Sequence, residues 1–204
     1  MSAVATFNGA ARKVPTWLLY IVGAMLPVWL FYQAVTGALG VDPVKAMEHQ
    51  MGIWGLQLLI ASIAITPLRK HLGVNLLKFR RAIGLLAFFF ILGHFMIWLG
   101  LDIQFRWGEI WKDIVKRPAI TIGMVGLVVM LPLALTSWNG AIRRMGAAAW
   151  GKLHKLAYLA VLAGGIHYVM VVKTWQTEPF LYLAGIVALL ALRVKLQKRK
   201  VATA

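Results

Sequence analysis

Five histidines and no cysteine set the chemistry open to this 204-residue chain. Without cysteine sulfur there are no disulfides, no thiolate-held iron–sulfur clusters and no covalently attached c-type haem. A metal held here takes its ligands from imidazole, methionine or oxygen. His94, His154 and His167 each fall inside or at the edge of a long apolar run, and an ionisable group at membrane depth is a candidate functional group by default. None of the six carboxylates lies in the middle of a run, so carboxylate proton relays and cation sites are not expected there. His71 sits in a basic loop and reads as a solvated residue. His49 stands at the start of the second run, where capping or an interfacial role is as good a reading as ligation.

What positions these residues is the set of apolar runs. Hydrophobic residues make up 61% of the chain and charged ones 14%, where a soluble domain carries roughly 45–50% and about 25%. Too little polar surface remains to cover a water-soluble globule. The chain needs lipid as its solvent. A transmembrane helix requires about 20 mostly apolar residues, and six runs qualify or come close: 15–39, 51–68, 82–101, 119–136, 153–172 and 180–196. Pro27 and Pro132 fall within runs, where neighbouring helices accommodate a kink. The polar, basic N-terminal stretch leads into a run too long for a signal-peptide core, so that run reads as a retained first span. No internal repeat or low-complexity segment divides the chain, which reads as one domain over residues 1–204. The expected fold class is an all-α membrane protein, a six-helix transmembrane bundle.

The charges orient the bundle. With the N-terminus cytoplasmic and every run crossing, the clusters Arg12–Lys13, Arg69–Lys70, Lys78–Arg81, Arg143–Arg144, Lys152 with Lys155, and Arg193–Lys200 lie on the cytoplasmic side. The opposite side holds Lys45, Arg106, Lys112, Lys116, Arg117 and Lys173 together with all six acids, so the whole net charge of +16 is cytoplasmic. This is the positive-inside pattern, with both termini cytoplasmic. Basic clusters set between apolar runs also argue against nucleic acid as a partner, which requires a basic face on a soluble module.

Tryptophans agree with this layout. Trp17, Trp138 and Trp150 fall near inner boundaries, and Trp54, Trp98, Trp107, Trp111 and Trp175 near outer ones, as in aromatic belts. In the second outer loop Trp107, Ile110, Trp111, Ile114 and Val115 recur at helical spacing among charged residues. That pattern predicts an amphipathic helix lying on the outer membrane surface, as a plain anchor in the lipid or as a docking surface for a partner.

Orientation gives the histidines depth. The third and fifth runs both travel outward, so His94 and His167 occupy the outer halves of two helices. Two neutral imidazoles at matching depth can supply both axial ligands of a b-type haem. Gly93 beside His94, and Gly164 and Gly165 before His167, leave room for a porphyrin edge. The plainer alternative is two buried histidines satisfied by backbone or water. His154 lies 13 residues before His167, ~20 Å along a helix and about 140° around it. That is room for a second haem, but the matching inner position on the third run is Arg80–Arg81. A second haem has one evident ligand, His154, and no evident mate.

The segments Gly40–Lys45 (GVDPVK) with His49, Ile65–Leu68 (ITPL), Arg80–Leu85 (RRAIGL), His94, Arg117–Pro118, Leu153–Leu159 (LHKLAYL), Ile166–Tyr168 (IHY) and Leu192–Arg193 follow in order over nearly the whole chain. In this ordered set the chain resembles the haem-binding membrane subunit of bacterial periplasmic protein-methionine-sulfoxide reductase systems, within the ferric-reductase-like transmembrane superfamily. The resemblance implies a multi-pass protein of the bacterial inner membrane that carries haem b and FMN. It implies electrons taken from the quinone pool or a cytoplasmic flavin reductase. They pass outward to a separate periplasmic molybdopterin enzyme, which reduces methionine sulfoxide in damaged proteins.

The chain is then an electron-transfer subunit and not itself the sulfoxide-reducing catalyst. His94, His154 and His167 match the family's haem-associated histidines, while the superfamily's four-histidine, two-haem pattern is incomplete because of Arg80–Arg81. An FMN phosphate finds its charge complement in Arg69–Arg81, Arg80 and Arg81 among them, or in Arg143–Lys155. A polybasic loop beside anionic lipid is the equal alternative. Two other functions compete. A self-standing ferric or oxygen reductase keeps the haem but expects a Gly-rich dinucleotide fingerprint after the last run, and none follows before Ala204. A small transporter bundle uses the same spans with no cofactor.

Overall fold

The computed structural model describes residues 2–172 and 176–201, with side chains described through residue 193. Lys173, Trp175 and the side chains of Lys195, Lys198, Arg199 and Lys200 lie outside the described residues. Those that are described form helices and turns and no strand. In chain order the helices are α1 (Ala3–Lys13), α2 (Thr16–Val35), α3 (Pro43–Leu72), α4 (Arg80–Ile97), α5 (Trp107–Lys116), α6 (Pro118–Leu135), α7 (Asn139–Met145), α8 (Ala147–Leu153), α9 (Leu156–Val171) and α10 (Thr177–Val201). A 3₁₀ turn (Leu77–Phe79) leads into α4, and a π turn (Trp98–Asp102) extends it.

Among the described residues five segments are long and apolar enough to cross a membrane: Thr16–Val35, Pro43–Leu72, Leu77–Asp102, Pro118–Leu135 and Ala147–Val171. They fall on five of the six expected runs, and the sixth run, 180–196, lies within α10. The apolar surface has the form lipid demands. On α2 the side chains of Ile21, Met25, Val28, Trp29 and Phe31 are all at least half exposed, an arrangement water does not tolerate over so large a patch. This is a multi-pass membrane protein.

Local chemistry moves one boundary well beyond the apolar run. The second span was expected to begin at Met51, yet α3 begins at Pro43. Asp42 caps it by accepting the Lys45 N–H at 3.0 Å, and Pro43 fills the first turn, where its missing N–H costs nothing. Gly73, at φ 72°, ends the helix in the left-handed conformation. The extra turns carry Lys45, Glu48 and His49 into regular helix. The capping role considered for His49 belongs instead to Asp42.

Two helix hairpins make the core. In the first, α3 packs on α4, and Lys45 at the start of α3 bonds Asp102 beyond the end of α4 at 2.6 Å. In the second, α6 packs on α9 with the start of α6 beside the end of α9, the two joined through the short α7 and α8. Leu56, Leu59 and Ile63 meet Ala87, Phe88, Met130, Ala160, Val161 and Ile186 between them. Helix α2 stays on the outside, with an apolar groove of about 310 Å³ between it and α3–α4.

The ends of the bundle differ in charge. At one end α1 is tied to the α3–α4 connection, where Asn8 bonds the Gly73 carbonyl and the Asn75 N–H, and Lys78 donates to the Arg12 carbonyl. At the other end lie the ion pairs Lys45–Glu48, Lys45–Asp102, Arg106–Glu109 and Arg117–Asp113. Helix α5 sits at this second end, but its apolar face is divided. Ile110 is buried against Trp98 and Ile103 with Ile114 beside them, while Trp107 and Trp111 are each 71% exposed.

Candidate functional site

His94 near the end of α4 and His167 near the end of α9 come together between the two hairpins. Each ring is held from behind by its own hairpin partner. His94 Nδ1 is 2.7 Å from the Glu48 carbonyl oxygen on α3, and His167 Nδ1 is 2.7 Å from the Ala119 carbonyl oxygen on α6. A carbonyl only accepts, so both Nδ1 atoms carry the proton and donate. That fixes the tautomer and leaves Nε2 of each ring as the nitrogen available to a metal.

The two rings lie edge to face. Their centres are 6.1 Å apart and their planes are inclined at 76°. A metal–imidazole bond is about 2.0–2.1 Å, and with roughly 1.1 Å more to each ring centre, two rings on opposite sides of one ion have centres about 6.2 Å apart. The observed separation of 6.1 Å is of the size that two rings sharing one metal ion would have. Among the described residues no group of three or more His, Cys, Asp and Glu forms a metal cluster. Two imidazoles alone suit an iron whose remaining ligands come from a porphyrin.

The glycines expected to make room for a porphyrin have other neighbours. A Cβ at Gly93 would meet the Met51 side chain at 2.5 Å, one at Gly164 would meet Leu56 at 3.2 Å, and one at Gly165 would meet Ile186 at 2.7 Å. Their missing bulk lets helices approach each other. The glycines that touch the histidines are Gly52 on α3 and Gly123 on α6, where a Cβ would meet the rings of His94 and His167 at 3.0 and 2.8 Å. Sequence reading passed over both, because the relevant neighbours are distant in the chain.

The remaining site candidates gather at the basic end. His154 was expected near the start of a continuous fifth helix, but it caps α8 and a tight turn separates it from α9. Its Nε2 meets the Thr136 hydroxyl at 3.0 Å, and its ring stacks on Trp150 at 3.8 Å. Arg80 and Arg81, in the first turn of α4, are close enough for their charges to act on His154. The buried Arg193 of α10 stands beside Arg80, bonded to the Ile63 carbonyl and to the Tyr158 hydroxyl. The structure thus brings Arg80, Arg81 and His154 together and adds Arg193, which the charge count had treated only as part of a terminal cluster. His71 is exposed and joins neither group, while His49, also exposed, has its ring 6.1 Å from that of Tyr168 beside His167.

Residues 44–165 match the family model described as ferric reductase like transmembrane component, a stretch that carries both hairpins as far as Gly165. The chain belongs to this family. It is 48% identical over 178 residues to the protein-methionine-sulfoxide reductase heme-binding subunit MsrQ of Brucella ovis, covering 87% of this chain and 80% of that one. It is 50% identical over 176 residues to the like-named subunit of Brucella anthropi, with 86% and 79% covered. No solved structure matches the chain. Within the ferric reductase like family, this member brings two histidines from separate hairpins together near the end of its bundle that holds the ion pairs.

Proposed function

We propose that this chain is the membrane electron-transfer subunit of a methionine sulfoxide reductase system, with b-type haem held between His94 and His167. One observation carries the reading: two imidazoles 6.1 Å apart, each with Nδ1 already bonded to a backbone carbonyl. The relatives named as heme-binding subunits of protein-methionine-sulfoxide reductase support it. Bound there, haem supplies a one-electron relay whose potential depends on its axial ligands and their hydrogen bonds.

The chain's own part is to hold and orient. Six spans, with α10 as the sixth and both termini cytoplasmic, put the histidine pair near the periplasmic face of a bacterial inner membrane. Electrons leave from that face to a separate molybdopterin enzyme, and this chain does not reduce the sulfoxide itself. At the cytoplasmic face Arg80 and Arg81 complement an anionic group, the phosphate of FMN or the acidic edge of a second haem on His154. A quinol or a flavin reductase is the donor. The test is the absorption spectrum and haem content of the purified chain, with His94→Ala and His167→Ala beside it. Soret absorbance in the wild type and its loss in both variants is expected. Full haem content in either variant defeats the assignment.

A further inference from the structure

We propose that Gly52 and Gly123 are a matched pair of positioning residues that set the orientation and tautomer of His94 and His167, an inference that rests on the haem reading above. The two hairpins repeat one local device. In the first, His94 donates to the carbonyl of Glu48, 46 residues away, and Gly52 follows that carbonyl by four positions. In the second, His167 donates to the carbonyl of Ala119, 48 residues away, and Gly123 follows by four.

Helix geometry explains the spacing. The carbonyl of residue i is engaged by the N–H of residue i+4, so an imidazole must use the oxygen's second lone pair from beside that residue. Every Cα–Cβ bond on a helix tilts toward the N-terminus. A side chain at i+4 therefore leans back over the carbonyl and occupies the place the imidazole needs. A Cβ at Gly52 would stand 3.0 Å from His94 Nδ1, and one at Gly123 would stand 2.8 Å from His167 Nδ1 and 2.9 Å from its Cε1. Of the 19 glycines, only these two would place a Cβ against a histidine. Gly55 and Gly165 have comparably close neighbours, but those are the aliphatic side chains of Ile91 and Ile186.

Two chemical consequences follow. Donation from Nδ1 directs Nε2 to the iron and raises its basicity, which favours the oxidised state of the metal. Pushing either ring off its carbonyl removes that effect, so the reduction potential rises. Loss of such a supporting contact also weakens metal-site affinity by about 10–100-fold.

The experiment compares haem affinity, reduction potential and low-spin EPR in the full-length wild type, Gly52→Ala, Gly123→Ala and Gly165→Ala. The first two variants should bind haem about 10–100-fold more weakly, with a higher potential and altered EPR anisotropy for the haem retained. Gly165→Ala carries a similar clash away from the histidines and should keep the wild-type potential. In the wild type, ¹⁵N-histidine hyperfine spectroscopy should find both rings bound through Nε2 with Nδ1 protonated, which keeps the question decidable should an alanine variant not fold. Coordination through Nδ1 of either ring overturns the proposal. So do two glycine variants with unchanged affinity and potential, given haem loss in His94→Ala and His167→Ala. Haem retained in those histidine variants instead brings down the haem site itself.

Discussion

Arg193 reaches from α10 to the carbonyl of Ile63 on α3 and donates to it twice, from Nε at 3.0 Å and Nη2 at 2.7 Å. The reason lies four residues further along α3. Pro67 stands inside the helix and has no N–H to offer the carbonyl of residue i−4, which is Ile63. In the interior of a membrane protein such an oxygen needs a partner. Arg193 provides it, while its remaining nitrogen bonds the Tyr158 hydroxyl. Two of the segments that carry the family resemblance, ITPL and the Leu192–Arg193 pair, thus meet in one contact.

That contact predicts a coupling. Arg193→Met leaves the Ile63 oxygen buried and unpaired, which costs about 1–3 kcal/mol. In a Pro67→Ala background the new N–H at position 67 closes the ordinary helical bond, and the same arginine loss should cost less. Thermal unfolding of the four proteins in detergent should give an interaction energy on the order of 0.5–3 kcal/mol. Additive costs would show that proline and arginine act independently.

Helix α5 allows a sharper test than its amphipathic pattern suggested. Ile110 is buried against Trp98 and Ile103, while Trp111 on the same helix is largely exposed. Ile110→Ala should lower stability by about 2–4 kcal/mol, since it opens a cavity in that cluster. Trp111→Ala should stay within about 0.5 kcal/mol of wild type in detergent. Equal destabilisation by both would mean that α5 packs by a different face.

Much of this was legible in the sequence, for physical reasons that also mark the limit. Lipid demands long apolar runs, so five long helices sit on expected runs. The charge asymmetry gave His94 and His167 a common depth, and the structure brings them together. What supports those rings was not legible. Glu48 and Ala119 act through backbone carbonyls, which any residue possesses, so the repeated device leaves no repeated sequence. Gly93, Gly164 and Gly165, near the histidines in the chain, read as room for a porphyrin edge, whereas the glycines against the rings are Gly52 and Gly123. The break at His154 was hidden because Leu153 and Lys155 look like helix, and Arg193, though part of a segment that carries the resemblance, gave no sign in the sequence of its contact with Ile63.

Topology is open to direct test. Reporter fusions after Gln104, in the turn between α4 and α5, should read periplasmic. Fusions after Val74 and Asn139 should read cytoplasmic. Both expectations follow from the charge distribution. A cytoplasmic signal at Gln104 would reverse the depth of His94 and, with it, the direction of electron exit.

The histidines themselves should rank by what each ring touches. The ring centres of His94 and His167 lie 6.1 Å apart, so on the proposed haem reading each is half of one site, and losing either leaves the other without a counterpart. Haem content in the double variant His94→Ala/His167→Ala should be no lower than in the worse single variant, the non-additivity of residues that act as a unit. His154 is bonded to Thr136 and stacked on Trp150 at the opposite end of α9. His154→Ala should therefore keep the outer haem spectrum while slowing its reduction from the cytoplasmic side. His71 is exposed in the last turn of α3, and His71→Ala should match wild type in both measurements. Haem per protein and the rate of haem reduction, taken across the four single variants and the double, decide the ranking. Separate, additive haem losses for His94 and His167 would mean that the two rings serve different groups.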